Sequence, residues 1–405
     1  MSSDFPQEFQ LVISCCLWPP SDARNQAINL AATGVYDWPR FLRIVRHHRV
    51  APLVHDGLLR AGISLPDELA KALRDDSLDC VRQNLLFVAE SMRLHRLLDD
   101  VEIPSLSVKG VTLAQLAYGG LSFKHSWDID LLVTPEAVPL AIEVLAQAGY
   151  RASPPLQPQT DARYHHWLKY AREYIFVHEK NSVYVELHWR LTDNARLLPG
   201  ISARSQKQIV TIADHAELAT LNDDDLFFYL CVHGAIHGWA RLKWIADVAA
   251  LIASDSAEKL HRRFTSARHE NADHCVAQAL LLCDRLFKPP ALLELSQRLR
   301  RHWRYRWLEK LALATMTLGG AEIKPGEGFF DTIPLYMSHF LLGHGWFFAV
   351  TELRNKLQMP YDMLNADANA KPGIWYSFAR VLSWIGRRGR IRNPLPQGEP
   401  RRKKQ

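Results

Sequence analysis

The stretch Pro104–Val133, PSLSVKGVTLAQLAYGGLSFKHSWDIDLLV, decides how the rest of the chain is read. A short apolar run leads to Lys109-Gly110, which opens a segment of helical character, VTLAQLAY. A loop follows, and then Asp128-Ile129-Asp130 begins a second apolar run. Side chains on a strand alternate, so Asp128 and Asp130 are predicted to share one face, with Cα atoms roughly 6.5 Å apart. Two carboxylates that close repel each other unless a positive charge lies between them, and a divalent cation is the usual answer. Lys109-Gly110 at a helix start supplies backbone N–H groups and a cation, which is an anion site. Acids for a metal beside a turn for phosphate point to nucleotide chemistry.

Working outward, the bulk properties are those of a soluble globular chain. Its 405 residues are 48% apolar and 23% charged, enough for about two or three domains with sizeable cores. The net charge of +6 is unevenly spread. From Arg387 onward eight cations face one acid, a net +7, which leaves the remainder near −1. A body that is not basic throughout does not carry the electrostatic footprint of a nucleic-acid-binding protein. The six cysteines show no C-x-x-C pair and no framework spacing, so reduced thiols and a cytoplasmic location are the expectation. The start, MSSDFPQEF, places acids where a signal peptide carries bases, and no apolar run reaches about 18 residues.

In chain order, residues 1–100 read as helical. QEFQLVISCCL has helical spacing and stops at Trp18-Pro19-Pro20. Pro39 suits the first turn of a helix running toward Gly62. Further helices are expected over Pro66–Asp76 and about Asp79–Asp100. Residues 101–195 change character: strand, helix, the WDIDLLV strand, then a helix opened by Thr134-Pro135 and ended by Gly149. EYIFVH and SVYVELHW then read as an antiparallel hairpin. Residues 196–300 return to helix, with one helix starting at Asn222 and carrying LFFYLCVHGAIHGWARLKWIADVAALIA, and others over Ala257–Ala267 and Asp273–Phe287. Residues 301–392 form a helical C-terminal region that ends in a Trp-rich basic segment, and 393–405 a basic disordered tail. The fold class is α+β, predominantly α overall, with a small mixed sheet embedded between helical regions.

Chemistry concentrates on few residues. Asp128 and Asp130 would hold Mg²⁺ with substrate phosphates completing the coordination. Alternation puts Tyr184, Glu186 and His188 on one strand face, so Glu186 is the third acid. Buried without a partner such a Glu is costly. Lys109 and Gly110 face the triphosphate, and Lys124 is a second phosphate contact. His188 either acts as a base or positions the acceptor, or it packs as a hydrogen-bonded core residue. Taken singly, each signal is weak, because a lone D-x-D is more often a solvated strand edge. Their order along the chain is what makes them specific. His47 and His48 read as packing or capping residues. His233, His237 and Asp247 read either as a nucleotide-pocket wall or as helix core. IWYSFARVLSWIGRRGRIR is compatible with weak contact to an anionic surface, or with a terminal helix packed on the body.

These motifs resemble the bacterial uncharacterised nucleotidyltransferase family of the polymerase-β-type fold. The resemblance is carried by Lys109-Gly110, Leu113-Ala114, Tyr118, Asp128 to Val133, Ala148 to Tyr150 and Val185 to Leu191. The blocks Asp37-Trp38, His48 to Leu53, His233 to Ala235 and Leu242 to Asp247 add to it. It covers about residues 30–255. It implies transfer of a nucleoside monophosphate from an NTP, with Mg²⁺ on Asp128, Asp130 and Glu186, and with Lys109 and Gly110 at the phosphates. Two positions depart from the family's habit. Lys124 stands where Arg is usual, losing the bidentate fork, and Glu186 stands where Asp is frequent. The glycine-serine turn of better-known nucleotidyltransferases is replaced by Lys-Gly, so their acceptors do not transfer. The acceptor, whether small molecule, peptide or RNA, stays open. So do two other functions: a non-catalytic nucleotide-binding accessory protein, and a toxin-like enzyme that modifies tRNA.

Overall fold

The structure is a computed structural model, and it describes residues 5–34, 37–153, 168, 171–212, 216–318 and 333–357. The basic segment Lys371–Ile391 and the tail beyond it lie outside the described residues. The α+β class holds: a small mixed sheet sits between helical regions.

Four helices lead: α1 (Gln7–Cys15), α2 (Asp22–Ala32), α3 (Trp38–His48) and α4 (Ala51–Arg60). The Asp37 side chain caps α3 by accepting from Arg40 N at 2.8 Å, and Pro39 lies in its first turn. The helix expected to run on to Gly62 breaks instead at Arg49, a non-glycine residue in the left-handed region (φ 56°), and α4 restarts at Ala51. The two helices expected over 66–76 and 79–100 are a single helix, α5 (Asp67–Asp99). The polar run between them does not break it, because Ser77 Oγ donates to the helix's own Leu73 carbonyl and Asp76 pairs with Arg46 at 2.8 Å. Leu73, Cys80, Asn84 and Phe87 keep one face buried throughout.

The sheet has the order β1-β2-β5-β4-β3. Its strands are β1 (Leu106–Ser107), β2 (Ile129–Leu132), β3 (Tyr150–Ala152), β4 (Glu173–His178) and β5 (Tyr184–His188). Helix α6 (Val111–Tyr118) follows β1, and α7 (Val138–Gln147) follows β2 after a 3₁₀ turn over Pro135–Ala137. β2 and β5 run parallel; the other pairs are antiparallel. The expected hairpin of β4 and β5 forms. One face of the sheet is apolar: Ile129, Leu131, Val185, Leu187, Tyr174 and Phe176 pack with Phe87 and Leu94 of α5 and Val144 and Leu145 of α7. The opposite face carries the polar residues and turns toward the helical body.

Residues 196–300 are not all helix. A second antiparallel hairpin, β6 (Lys207–Ile212) with β7 (Ala216–Leu221), precedes α8 (Asp223–Ile236). Its burial alternates, with Val210 and Ile212 inside, so the period-two signal is present in KQIVTI. The long helix expected from Asn222 is two, α8 and α9 (Leu242–Leu251). Gly238 and Trp239 both adopt left-handed backbone, and Trp239 N bonds back to Gly234 O at 2.8 Å. The Trp239 ring then occupies the space where a Cβ on Gly234 would sit. Beyond lie α10 (Ala257–Ser266), α11 (Asp273–Phe287), α12 (Leu293–Leu299), α13 (Trp303–Thr317), α14 (Ile333–Ser338) and α15 (Gly345–Leu357). One continuous core joins α1–α4 to α8–α13. Among the described residues no helix is long and apolar enough to cross a membrane, and all six cysteines are buried thiols.

His95 on α5 lies between Ser105 Oγ (2.6 Å) and Ser107 Oγ (2.8 Å), and burial pushes its pKa down to about 4. An unfolded histidine titrates near 6.5. Between pH 6.5 and 4 the unfolded chain therefore binds the proton that the folded chain refuses, and stability falls as pH drops through that window. Urea unfolding at pH 7 and pH 4.5 is expected to show a smaller loss in His95→Gln than in the wild type. An identical loss in both proteins would contradict this assignment.

Candidate active site

The polar face of the sheet builds the site. Register places Asp130 of β2 directly beside Glu186 of β5, and Leu132 beside His188. On the far side of β5, Glu173 of β4 is paired with His188. Because paired residues on neighbouring strands point the same way, Asp130, Glu186, His188 and Glu173 converge on one face. Asp130, Glu186 and His188 each present a ligand atom within 4.8 Å of the others. Asp128, half-buried one residue before β2, is not one of these three, but its charge acts on Lys109 and on Asp130.

Lys109 enters from the end of β1, which Val108 N extends by bonding to Asp130 O at 3.3 Å. Its Nζ stands 2.7 Å from Asp130 Oδ1 and 3.8 Å from Glu186 Oε2. Gly110 makes the turn from strand to α6 with φ 71° and ψ −127°, a conformation that essentially requires glycine. Space is not the reason, since an added Cβ would meet only ordinary contacts at 3.8 Å. The approach of Lys109 to Asp130 thus depends on Gly110.

Electrostatics follow from this packing. Burial raises the Asp130 carboxyl, Lys109 opposes it, and the group ends near 6. Burial also raises Glu186, but Lys109 and His188 together outweigh it and hold Glu186 below the usual carboxylate range. Burial lowers His188, yet hydrogen bonding to Asp130 and Glu186 and the charge of Glu173 raise it to about 9. His188 is therefore an imidazolium at neutral pH, with Nε2 3.2 Å from Asp130 Oδ1 and 3.4 Å from Glu186 Oε2. Its Nδ1 lies 3.2 Å from Glu173 Oε2 without the alignment of a hydrogen bond. Glu173 is in turn paired with Arg172 at 3.2 Å, and Arg172 with Asp193 at 3.4 Å.

A divalent cation fits the donor set. Asp130 Oδ2 is fully buried and has no hydrogen-bond partner, and an orphaned buried carboxylate oxygen is costly. Carboxylate oxygens are the ligands that Mg²⁺ takes. Lys109 and His188 share the same acids, so the cluster is already partly neutralised by the protein's own cations.

Lys124 stands elsewhere. Its ammonium pairs with Asp247 at 3.2 Å, both side chains being buried, and Tyr118 Oη donates to the other Asp247 oxygen at 2.9 Å. Its carbonyl accepts from Asn84 of α5 at 2.7 Å. Asp247 therefore clasps α6, α9 and the loop before β2. His233 and His237 lie 4.6 Å apart by ring centroid, with His237 stacked on Trp244 at 5.2 Å. Burial and the charges of Arg172 and Lys109 lower His237 to about 3, which places this neutral aromatic cluster within electrostatic reach of the site. His48 takes a capping role, its Nδ1 accepting from Leu242 N at 2.9 Å. A second metal-compatible trio joins the start of α11 to the segment before α15. In it His344 Nε2 is 2.7 Å from Asp273 Oδ1, and His274 Nδ1 donates to Leu341 O at 2.8 Å.

Glu173, Arg172 and Tyr229 are not among the sequence-predicted site residues. Glu173 had a readable signal, an acid in register with His188 at the mouth of an apolar hairpin strand. Tyr229 had none, because its reach to Lys109 and Glu186 depends on how α8 docks on the sheet; Arg172, one residue before β4, pairs with Glu173 and with Asp193 beyond the hairpin.

A mixed sheet that gathers acids from two parallel neighbours beside a Lys-Gly helix start is the arrangement that the sequence resemblance leads one to expect. The family model described as uncharacterised nucleotidyltransferase matches residues 35–288, and the chain belongs to that family. No curated protein and no solved structure matches it.

Removing Lys109 strips the nearest cation from a buried acid. Lys109→Ala is expected to lose about 3 kcal/mol of unfolding free energy in EDTA, measured by denaturant titration. Lys109→Ala in the Asp130→Asn background is expected to lose much less. Equal losses in the two backgrounds would show that the pair does not couple.

Proposed function

We propose that the chain is a metal-dependent nucleotidyltransferase that moves a nucleoside monophosphate from an NTP to an acceptor hydroxyl. The observation that carries this is the in-register pairing of Asp130 with Glu186, together with the orphaned Asp130 Oδ2. Asp128, Asp130 and Glu186 would hold the ion, Mg²⁺ being the natural choice for oxygen ligands. When bound, the ion neutralises phosphate charge and eases departure of pyrophosphate.

The chain's own residues supply the rest. Lys109 and His188 keep three acids together on one face at neutral pH, where their mutual repulsion would otherwise separate or protonate them. His188 positions Asp130 and Glu186, with Nε2 at 3.2 Å and 3.4 Å from their oxygens. The buried sheet strands fix both carboxylates to rigid backbone, which keeps the reacting groups oriented. The acceptor oxygen bonds to the α-phosphorus as the bond to the β-phosphate oxygen breaks, and the hydroxyl proton passes to water.

One observation favours a second reading, a nucleotide-binding protein without turnover. Lys109 Nζ already stands at 2.7 Å from Asp130, where a metal's charge would act. The two readings separate in a single assay. With Mg²⁺ and each NTP in turn, pyrophosphate release or a labelled acceptor is expected, and Asp130→Ala and Asp128→Ala are each expected to lower it at least a hundredfold. NTP binding by calorimetry with no release under any condition would select the second reading. Undiminished release in both variants would remove the site assignment.

A further inference from the structure

The phosphate contacts read from the sequence, Lys109 and Lys124, are both spent on carboxylates. Two other cations are not. Arg49 sits at the α3–α4 corner in a left-handed conformation, with its guanidinium 4.4 Å over the Trp127 ring and no carboxylate within ion-pair distance among the described residues. Lys243, in the first turn of α9, is half-buried and likewise has no ion pair or hydrogen bond among the described residues.

Two hydrogen bonds bring them together. Leu242 N donates to His48 Nδ1 at 2.9 Å, and Arg241 Nη1 donates to His47 O at 2.8 Å. Leu242 and His48 are the chain neighbours of the two cations and Arg241 and His47 lie one residue further back, so residues 194 apart in sequence become a single corner. Trp127 adjoins Asp128, and Asp128 is the acid that both Arg49 and Lys243 feel at the site. Their surroundings are otherwise positive. Burial first, and then the charges of Lys124 and Arg49, lower Lys243 to about 7 against the smaller opposing pull of Asp247 and Asp128. Asp247, the buried acid at this corner, is already shared by Lys124 and Tyr118.

Two like charges in a half-buried corner, with no acid of their own at ion-pair distance among the described residues, are stabilised when an anion completes them. A guanidinium fork beside an ammonium is a pair suited to phosphate oxygens. We propose that Arg49 and Lys243 form the subsite for the polyphosphate tail of the nucleotide, next to Asp128. The proposal rests on the nucleotidyltransferase reading and names residues that it does not. Arg49 and Lys243 grip the terminal phosphates, Lys124 adds charge from its salt bridge, and the α-phosphate is left toward Asp128 and Asp130.

The probe is inorganic pyrophosphate, titrated calorimetrically into the full chain in EDTA. Wild-type protein is expected to bind it, and Arg49→Ala and Lys243→Ala are each expected to weaken binding by about tenfold, the worth of one charge-assisted contact. Arg49→Lys and Lys243→Arg are expected to recover part of the affinity. Thermal unfolding shows that each variant is folded, and the conservative pair stands in for an alanine variant that is not. Asp130→Asn, which ends turnover under the functional reading, is expected to leave pyrophosphate affinity within about threefold of wild type. Absence of pyrophosphate binding in wild type, or unchanged affinity in both the Arg49 and Lys243 variants, would overturn the subsite. Turnover with unchanged pyrophosphate affinity would overturn it while leaving the transferase reading intact. Weakened pyrophosphate binding in a protein without turnover would do the reverse.

Discussion

A lysine ammonium 2.7 Å from an aspartate that is 2% exposed is the contact on which the site depends. Burying Asp130 without compensation would cost several kcal/mol. The fold meets that cost with Lys109 from one strand and His188 from another, and it leaves one Asp130 oxygen without a partner. Three local features serve this contact. Gly110 supplies the backbone turn that brings Lys109 off β1. The parallel β2–β5 pair brings Glu186 alongside. Glu173 and Arg172 extend the alternation of charge outward from His188.

The helical regions complete the polar face of the sheet. Their shared core ties α1–α4 to α8–α13, and the α3–α9 junction, held by His47, His48, Arg241 and Leu242, carries Arg49 and Lys243, two cations with no ion pair among the described residues that both feel the charge of Asp128. The family match spans this junction and the sheet together, from residue 35 to residue 288. In the proposed reading the sheet supplies metal-binding acids and the helical corner supplies phosphate-binding cations, so neither part is sufficient alone.

Much of the sheet was legible because period two is a local signal. Asp128-Ile129-Asp130 in an apolar run and Glu186-Leu187-His188 in another give both the strands and the shared face. Partner choice was not legible, because it is set by sheet order and helix docking. The spacing of Lys124 from Asp128 suggested a phosphate contact, yet Lys124 is held by Asp247, 123 residues further on. Arg49 gave no sign of ending a helix, since a left-handed arginine has no sequence signature comparable to glycine's. The Asp75–Asp79 run looked like a helix boundary because it is polar, but it is the solvated side of α5, whose buried side continues through Leu73, Cys80 and Asn84. KQIVTI did carry alternation, and its polar flanks and helical neighbours masked it.

In the proposed reading, Asp130 and its neighbours gather a divalent cation on the polar face of the sheet. Mn²⁺ is a paramagnetic substitute for Mg²⁺, and its free concentration can be followed by electron paramagnetic resonance as protein is added. Wild-type protein is expected to remove Mn²⁺ from solution, more strongly when an NTP is present, and Asp130→Asn is expected to lose that binding while remaining folded. Equal Mn²⁺ binding by the wild type and the Asp130→Asn protein, with and without NTP, would contradict that reading.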